Sequence, residues 1–257
     1  MARNKSRVLL FDVDNTLTPS RNKIEPHMEQ LMLELREKFL LGVVSGSDLH
    51  KIAYQMTSCP NKNSFDELFK RYNYVFLENG LVAYRQAELI SKKCIREFLG
   101  ETKVQEFINL ALSELAKITL PVKRGHFIEC RTGLINVSPI GRSCSQAERE
   151  AFVEYDREYK IREKLMTKFG ENYPDGELSF AIGGQISIDV FPTGWDKTIC
   201  LQHLVDDGIE EIHFFGDRIY PGGNDWGIYH DPRTIGHIVK NPDDTMRQLL
   251  ELLEILD

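Results

Sequence analysis

VLLFDVDNTLT, residues 8–18, decides the fold of this chain, because it sets two carboxylates at the end of an apolar strand. The apolar run at residues 8–11 suits a strand that is buried on both faces of a parallel sheet. Ligands of such sheets collect at the carboxyl ends of the strands, which Asp12 and Asp14 follow. Residues i and i+2 of an extended segment point to the same side, so both acids can address one phosphorus atom. The pair indicates phosphoryl transfer; a strand-ending Asx turn, which needs only one Asp, is the alternative.

The composition is typical of a soluble globular protein. Its 257 residues allow one large domain or two small ones. A net charge of −7 and the absence of a long Lys/Arg block argue against nucleic acid or a membrane surface as a partner. No apolar run approaches the roughly 18 residues of a membrane span and no signal-like segment precedes the first strand, so we expect a cytoplasmic protein. The five cysteines are odd in number and include no CxxC pair, so we expect reduced, mostly buried thiols.

Strands and helices alternate after the first strand. Apolar residues at helical spacing predict a helix over residues 26–39, and an apolar run predicts a strand over residues 40–44. Ser45 ends that strand, and Asp48 is placed to cap the helix that follows. A third strand over residues 74–78 stops at the turn pair Asn79-Gly80. Three βα steps in this order predict an α/β fold with a doubly wound parallel sheet.

The pattern changes in the middle of the chain. Long helices over residues 101–117 and 146–169 alternate there with short strands at residues 126–130, 134–137, 178–182 and 185–190. We therefore predict an inserted α+β cap domain over residues 84–191, and a core domain made of residues 1–83 and 192–257. The core resumes with a helix over residues 196–205, strands over residues 212–215 and 235–239, and a C-terminal amphipathic helix.

Polar residues at the carboxyl ends of the core elements form a constellation suited to phosphoryl transfer. A carboxylate that attacks a phosphate dianion faces charge repulsion, so the site needs a divalent cation, and a shell of oxygen ligands favours Mg²⁺. A lysine and a hydroxyl would neutralise and orient the transferring phosphoryl oxygens. The candidates, in chain order, are Asp12, the side chain and backbone carbonyl of Asp14, Ser45, Lys197, Asp217 and Asp225.

This order of motifs resembles the haloacid dehalogenase superfamily of aspartyl-phosphate phosphotransferases. The matching parts are the Asp-x-Asp-x-Thr run, Ser45 after the second strand, Lys197 and the acid loop of residues 217–225. The resemblance implies that Asp12 is the nucleophile and Asp14 the general acid and base. The insertion after the third strand looks like the larger of the family's cap types.

The cap narrows the resemblance further. FIECRTGLINVSPIGR, residues 127–142, and GGQISIDVFP, residues 183–192, are similar to the eukaryotic phosphomannomutases, and the likeness spans nearly the whole chain. It implies that cap arginines hold the substrate's distal phosphate, for which the planar fork of arginine is well suited. It also implies a core arginine near the hinge and two residues that contact the sugar or its phosphate. These positions are Arg131, Arg142 and Arg149 in the cap, Arg21 in the core, and Ser187 and Asp189.

Several of these positions have simpler alternatives. Any one arginine alone would be read as a surface residue, but Arg131, Arg142 and Arg149 all fall where they can converge on one cap face. Asp189 alternates with apolar neighbours and is equally well explained as a strand-surface acid. The resemblance implies a second cation site at Tyr229, Asp231 and Thr234, where a plain turn is nearly as good an interpretation.

Two positions depart from the family pattern. The residue after Asp14 is usually Gly and here is Asn15, which tolerates left-handed dihedrals, so we expect the loop to keep its form. The acid loop carries Arg218 and Ile219 where relatives usually have Lys-Thr, so a charge is kept and a hydroxyl is lost.

The resemblance implies a phosphomannomutase that interconverts mannose 6-phosphate and mannose 1-phosphate and supplies GDP-mannose synthesis. A hexose 1,6-bisphosphate, of glucose or mannose, would phosphorylate Asp12 and serve as activator, with Mg²⁺ as the metal and glucose phosphates as further substrates. The family forms homodimers through the cap, which implies a dimer here. A sugar-phosphate phosphatase of the same superfamily is the alternative enzyme, and a non-catalytic sugar-phosphate sensor is the alternative from another class.

Overall fold

The computed structural model describes residues 6–58 and 64–256, with side chains described up to residue 254. These residues form two compact units, Met1–Lys92 with Trp195–Asp257 and the inserted Lys93–Gly194. The strands are β1 Arg7–Phe11, β2 Leu40–Val44, β3 Tyr74–Leu77, β4 Val82–Arg85, β5 Glu88–Lys92, β6 Ile128–Cys130, β7 Ile135–Val137, β8 Leu178–Gly183, β9 Ser187–Pro192, β10 Glu211–Gly216 and β11 Thr234–Ile238. The helices are α1 Pro26–Lys38, α2 Leu49–Gln55, α3 Ser64–Arg71, α4 Ile95–Leu99, α5 Glu101–Lys117, α6 Gln146–Tyr159, α7 Ile161–Asn172, α8 Ile199–Asp206, α9 Trp226–Tyr229 and α10 Pro242–Leu256.

A seven-stranded sheet forms the first unit, in the order β11-β10-β1-β2-β3-β4-β5. The strands from β11 to β3 run parallel, with β1 between β10 and β2, whereas β4 and β5 are antiparallel. The α/β class with a parallel central sheet is therefore confirmed. Because parallel strands end at one edge, the residues that follow β1, β2 and β10 are brought close together.

Strand β1 is buried on both faces, as its continuous apolar sequence predicts. Leu9 and Phe11 lie in a core with Met28 of α1 and Leu249 of α10. Val8 and Leu10 lie in a second core that contains residues of α8. Successive residues of a strand point to opposite faces, so helices cover both sides of the sheet. The doubly wound arrangement leaves the carboxyl edge as the place where polar groups collect.

The insertion begins later than the sequence analysis predicts. Residues 84–92 belong to the seven-stranded sheet, and the inserted unit is Lys93–Gly194 rather than residues 84–191. A 3₁₀ turn at Glu78–Gly80, with Asn79 at φ 60°, returns the chain antiparallel to β3. The turn pair was recognised from the sequence, but a tight turn of this kind makes a hairpin and keeps the next strand in the same sheet.

The inserted unit has a four-stranded antiparallel sheet, in the order β6-β7-β9-β8. Helix α5 spans the predicted residues, but the single helix predicted over residues 146–169 is two helices, α6 and α7. The break lies at Lys160, which has the left-handed φ of 55°. The side chain of Asp156 in α6 receives a hydrogen bond from the Arg162 guanidinium at 2.6 Å and fixes the corner. Neither β4, β5 nor α4 was predicted.

The expectation of mostly buried thiols is wrong for the described cysteines. Cys200 is buried, whereas Cys94 and Cys144 are partly exposed and Cys130 is exposed; all four are free. Cys59 lies outside the described residues. Among the described helices, none has the length and apolar content required to cross a bilayer.

Candidate active site

The site begins where β1 meets its neighbours. The Asp12 N–H donates to the carbonyl of Phe215 in β10 at 2.9 Å, so the chain still follows the sheet at the first acid. The loop then closes on itself, because the N–H groups of Leu17 and Thr18 both donate to the carbonyl of Val13, each at 3.0 Å. This geometry fixes Asp12 at the sheet edge and turns the chain before α1.

Asp12 is a buried carboxylate beside a buried lysine. Its side chain accepts a hydrogen bond from Lys197, and only 6% of the residue is exposed. Burial raises the pKa of Asp12 to about 7; the Lys197 ammonium opposes this rise, whereas the nearby carboxylates of Asp225 and Asp217 add to it. The buried ammonium therefore limits the rise in pKa that burial imposes on this acid.

Lys197 links Asp12, the first residue of the predicted constellation, to Asp225, the last. It is 1% exposed, and its Nζ donates to Asp225 Oδ1 at 2.7 Å as well as to Asp12. The preceding Asp196 orients this segment, because its carboxylate accepts from the Thr198 N–H at 2.8 Å and from the Thr198 hydroxyl. Asp225 is fully buried, and its second oxygen accepts the Arg218 N–H at 3.1 Å, which closes the acid loop.

Three carboxylates converge here in an arrangement that fits a divalent cation. Asp12, Asp217 and Asp225 each offer one oxygen, and these oxygens lie within 4.8 Å of one another. Asp217 Oδ1 is buried and has no hydrogen-bond partner among the described residues. Buried polar atoms are normally satisfied, so this acceptor fits a ligand that the chain itself does not supply. An oxygen-only donor set is the one that Mg²⁺ prefers.

Asp14 has different hydrogen-bond and charge partners from those of Asp12. Its Oδ1 accepts from the Arg21 N–H at 2.7 Å and from Gln55 Nε2 at 2.9 Å, and Lys51 Nζ lies 3.8 Å from Oδ2. Burial tends to raise the pKa of Asp14, but these hydrogen bonds and the charges of Lys51 and Arg218 outweigh it and hold the pKa below its usual value. The side chain is thus kept ionised, as a proton acceptor requires.

Ser45 follows β2 at the same edge of the sheet and is 5% exposed. Its N–H donates to the Phe76 carbonyl, and its carbonyl accepts the Asn79 N–H, both at 2.9 Å. Its hydroxyl accepts the Ser47 N–H at 3.2 Å and remains able to donate its own proton. The loop is therefore a rigid support for a hydroxyl that can bind an anionic oxygen.

Asn15 keeps the loop form that the sequence predicts. It has a φ of 60°, its Nδ2 donates to Asp217 Oδ2 at 3.2 Å, and its Oδ1 accepts the Ser20 N–H at the same distance. The side chain therefore tolerates the left-handed backbone and also holds a metal-candidate carboxylate.

We expect Asn15→Ala to lower the free energy of unfolding by about 2 kcal/mol, because it adds left-handed strain and removes both hydrogen bonds. Asn15→Gly should cost less, because glycine adopts the same φ without strain. Urea unfolding of the two variants beside the wild type measures the difference, and an equal loss in both would contradict the strain argument.

The inserted unit brings the predicted cap arginines into one cluster. Arg131 and Arg142 both reach Glu129 Oε2, at 2.8 Å and 3.1 Å. Burial lowers the pKa of Arg142, and the positive charges of Arg131 and Arg149 lower it further. The carboxyl groups of Glu129 and Asp189 oppose this lowering, but three guanidinium groups outnumber them, so the excess positive charge suits the region to bind a phosphate.

Asp189 lies at this cluster and not on a plain strand surface. Its Oδ1 accepts Asn136 Nδ2 at 2.5 Å, and the Oδ1 of Asn136 accepts Arg142 Nη1 at 2.8 Å. Burial raises the pKa of Asp189, while Asn136, Arg131 and Arg142 oppose the rise. Ser187 is on the same strand and is buried, with its hydroxyl donating to the Gly183 carbonyl at 2.7 Å.

The residues of the predicted second cation site make the contacts of a turn. Both oxygens of Asp231 accept from the Arg233 guanidinium, at 2.8 Å and 2.7 Å. The Thr234 hydroxyl is 2.6 Å from the Ile228 carbonyl, and the Tyr229 N–H donates to the Asp225 carbonyl at 2.9 Å. Metal binding at Tyr229, Asp231 and Thr234 stays a prediction, as does a phosphate contact by Arg21, an exposed residue with a φ of 62°.

The polar groups that hold the predicted residues in place were not themselves predicted. Lys51 and Gln55 contact Asp14 from α2, where their spacing of four residues puts them on one helix face. Glu129 pairs with Asn136 across β6 and β7, and Asn136 pairs with Asp189 across β7 and β9. The helix spacing is a signal that the sequence contains, whereas the cross-strand partners require the register.

Comparisons with known proteins identify the family of this chain. The model of the family described as eukaryotic phosphomannomutase matches residues 28–255. The Glycine max phosphomannomutase is 50% identical over 251 residues, 98% of each chain. Phosphomannomutase 1 of Mus musculus is 49% identical over 252 residues, 98% of this chain and 94% of that one.

Solved structures resemble the fold at low sequence identity. An IMP-bound, N-terminally truncated Plasmodium falciparum IMP-nucleotidase aligns with a TM-score of 0.62 at 18% identity, covering 96% of this chain and 68% of that one. A haloacid dehalogenase-like hydrolase from Bacteroides thetaiotaomicron aligns with a TM-score of 0.58 at 14% identity, covering 96% of this chain and 99% of that one. With the family match above, these findings show that the chain is an enzyme of haloacid dehalogenase-like fold that belongs to the eukaryotic phosphomannomutase family.

Proposed function

We propose that this enzyme is a phosphomannomutase that interconverts mannose 6-phosphate and mannose 1-phosphate. The observation that supports the proposal is the presence of two separate clusters of charged side chains. Asp12, Lys197 and Asp225 form a buried cluster suited to phosphoryl transfer, and Arg131, Arg142 and Arg149 form a second cluster that contains no candidate nucleophile. A mutase substrate carries one phosphate for each site in its bisphosphate form, whereas a simple hydrolase needs only the first.

In the proposed reaction Asp12 attacks a phosphate of a hexose 1,6-bisphosphate. The bond between phosphorus and the sugar oxygen breaks, and Asp14, which carries a proton at this step, donates it to the leaving oxygen. The aspartyl phosphate then passes its phosphoryl group to a hydroxyl of a hexose monophosphate, while Asp14 takes that hydroxyl's proton. Lys197 and the Ser45 hydroxyl bind the phosphoryl oxygens as charge develops on them.

Mg²⁺ fits the acid cluster, and we propose that Asp12, Asp217 and Asp225 hold it with the backbone carbonyl of Asp14. Bound there, it would neutralise phosphoryl charge that otherwise repels the attacking carboxylate. The hexose 1,6-bisphosphate activator, activity on glucose phosphates, the supply of GDP-mannose synthesis, a homodimer formed through the inserted unit and a cytoplasmic location stay predictions of the family resemblance.

The inserted unit would bind the phosphate that is not being transferred. Arginine grips phosphate through two parallel hydrogen bonds, and the network of Glu129, Asn136 and Asp189 orients the guanidinium groups before the substrate arrives. Ser187 and Asp189 lie on the strand beside them, where contact with the sugar is the role we propose.

One assay separates the candidate functions. The protein is incubated with mannose 1-phosphate and Mg²⁺, with and without glucose 1,6-bisphosphate, and mannose 6-phosphate and free phosphate are recorded in the same tubes. We expect bisphosphate-dependent mannose 6-phosphate with little free phosphate. Mainly free phosphate would establish the sugar-phosphate phosphatase instead, and neither product would favour a non-catalytic sensor.

We expect Arg142→Ala to raise KM for mannose 1-phosphate by about 10- to 100-fold, because a charged hydrogen-bonding group is worth roughly 1.5–3 kcal/mol. The value of kcat should change much less, because Asp12 and Asp14 are untouched. Steady-state kinetics of this variant beside Arg157→Ala, which removes an exposed arginine paired with Glu154, provides the matched control. An unchanged KM in Arg142→Ala would contradict phosphate binding by the cluster.

A further inference from the structure

Helix α2 carries two side chains that converge on Asp14. Lys51 and Gln55 are four residues apart, so they lie on one face of the helix. Gln55 is 1% exposed, and its Nε2 donates to Asp14 Oδ1 at 2.9 Å. Lys51 Nζ lies 3.8 Å from the other oxygen, Oδ2. Both oxygens of the acid therefore face α2.

The helix itself is fixed in place. Asp48 caps its first turn by accepting the Lys51 N–H at 2.9 Å, and the Gln55 carbonyl accepts the Ile24 N–H at 2.7 Å. Lys51 Nζ also donates to the Ser47 hydroxyl at 2.8 Å, which ties it to the loop that begins at Ser45. Because α2 is already held at several points, Lys51 and Gln55 lose little further conformational entropy when they orient Asp14.

The carboxamide of Gln55 has an unused acceptor. Its Oε1 is buried and has no hydrogen-bond partner among the described residues. A carboxamide presents both a donor and an acceptor, whereas an ionised carboxylate only accepts and a protonated one also donates. Gln55 can thus bind Asp14 through Nε2 when the acid is ionised, and through Oε1 after a rotation of the amide when the acid carries a proton.

We propose that Lys51 and Gln55 are positioning residues for proton transfer: together they hold the Asp14 carboxyl group in the orientation from which it exchanges a proton with the sugar oxygen. The inference rests on the proposed function, because it assumes that Asp14 is the general acid and base. Neither residue is among those proposed above to bind the transferring group. Their loss should therefore slow those steps in which a proton must move, and no others.

The test uses leaving groups of different basicity. A hexose 1,6-bisphosphate leaves as a sugar oxygen that needs a proton, whereas p-nitrophenyl phosphate releases a stabilised phenolate that needs none. We expect Gln55→Leu and Lys51→Met to slow phosphorylation of Asp12 by glucose 1,6-bisphosphate by about 10- to 100-fold, part of the 10²- to 10⁴-fold that a general acid contributes. Phosphorylation by p-nitrophenyl phosphate should stay within about twofold of the wild type.

Control variants distinguish loss of the fold from loss of the orientation of the Asp14 carboxyl group. Tyr54→Phe changes an exposed neighbour on α2 and should leave both rates unchanged, and Lys51→Arg keeps a cation and should restore much of the bisphosphate rate. Thermal unfolding of every variant reports the state of the fold. An equal slowing with both phosphate donors, or no slowing with either, would overturn the inference.

The wild type and the Asp14→Asn variant distinguish failure of the positioning role from failure of the proposed function. If the wild type forms no phosphoenzyme from the bisphosphate, the proposed function fails first. If the wild type does so and Asp14→Asn slows only the bisphosphate reaction, the role of Asp14 stands. Normal bisphosphate rates in Gln55→Leu and Lys51→Met would then reject the positioning role alone.

Discussion

Asp12→Asn should abolish phosphoenzyme formation and lower kcat by roughly four orders of magnitude or more, the scale of loss seen when a nucleophile is removed. The amide nitrogen and oxygen of asparagine cannot form the acyl phosphate that carries the group between sugars. Incubation with bisphosphate labelled at phosphorus, followed by acid precipitation, measures the covalent label directly. Normal labelling of the variant would contradict the assignment of the nucleophile.

The fold should survive this change. Lys197 keeps its contact with Asp225, and the burial that raises the pKa of Asp12 also means that its charged form is unfavourable in the folded protein. A group whose folded pKa is raised loses stability as pH rises through that pKa, so at pH 8 without divalent cations the variant should unfold no earlier than the wild type. Asp206→Asn is the matched control, because it removes the same negative charge at an exposed position, and it should retain full labelling.

The core of this site is predictable from the sequence because chain order and strand direction determine it. Asp12, Ser45 and Asp217 each follow a parallel strand directly, and parallel strands of one sheet end at the same edge. No knowledge of side-chain packing is required for that step. The left-handed form of Asn15 follows from its own chemistry in the same way.

Other features depend on partners that lie far away in the chain. The sequence left the role of Asp189 undecided, because the alternation of polar and apolar residues along a strand shows which face a side chain takes but not which residue faces it on the next strand. The register of β7 and β9 places Asn136 beside Asp189. The insertion boundary was wrong because apolar residues in β4 suit either domain, and only pairing with β3 assigns them. The helix break at Lys160 was not predicted because no Gly or Pro lies there to indicate it.

Lys197→Met should cause the second large loss, in activity and in stability together. The substitution keeps the length of the side chain but leaves Asp12 and Asp225 buried without their cation. Breaking a buried ion pair from one side costs about 3–5 kcal/mol, which for a chain of this size lowers Tm by on the order of 10 °C. Phosphoryl transfer should fall by about 10³-fold, because the charge that binds the phosphoryl oxygens is gone.

The sign of the pH dependence identifies the cause of this instability. Without Lys197 the pKa of Asp12 rises above its already raised value, so the folded state holds a proton that the unfolded state has released. Stability of the variant should therefore fall as pH rises and return as pH is lowered from 9 to 6, measured by thermal unfolding in EDTA. Adding Asp225→Asn should restore stability without restoring activity, because it removes one of the carboxylates that repel Asp12 and replaces no cation. A variant equally unstable at both pH values would instead indicate lost packing around the lysine stem, which methionine is chosen to preserve.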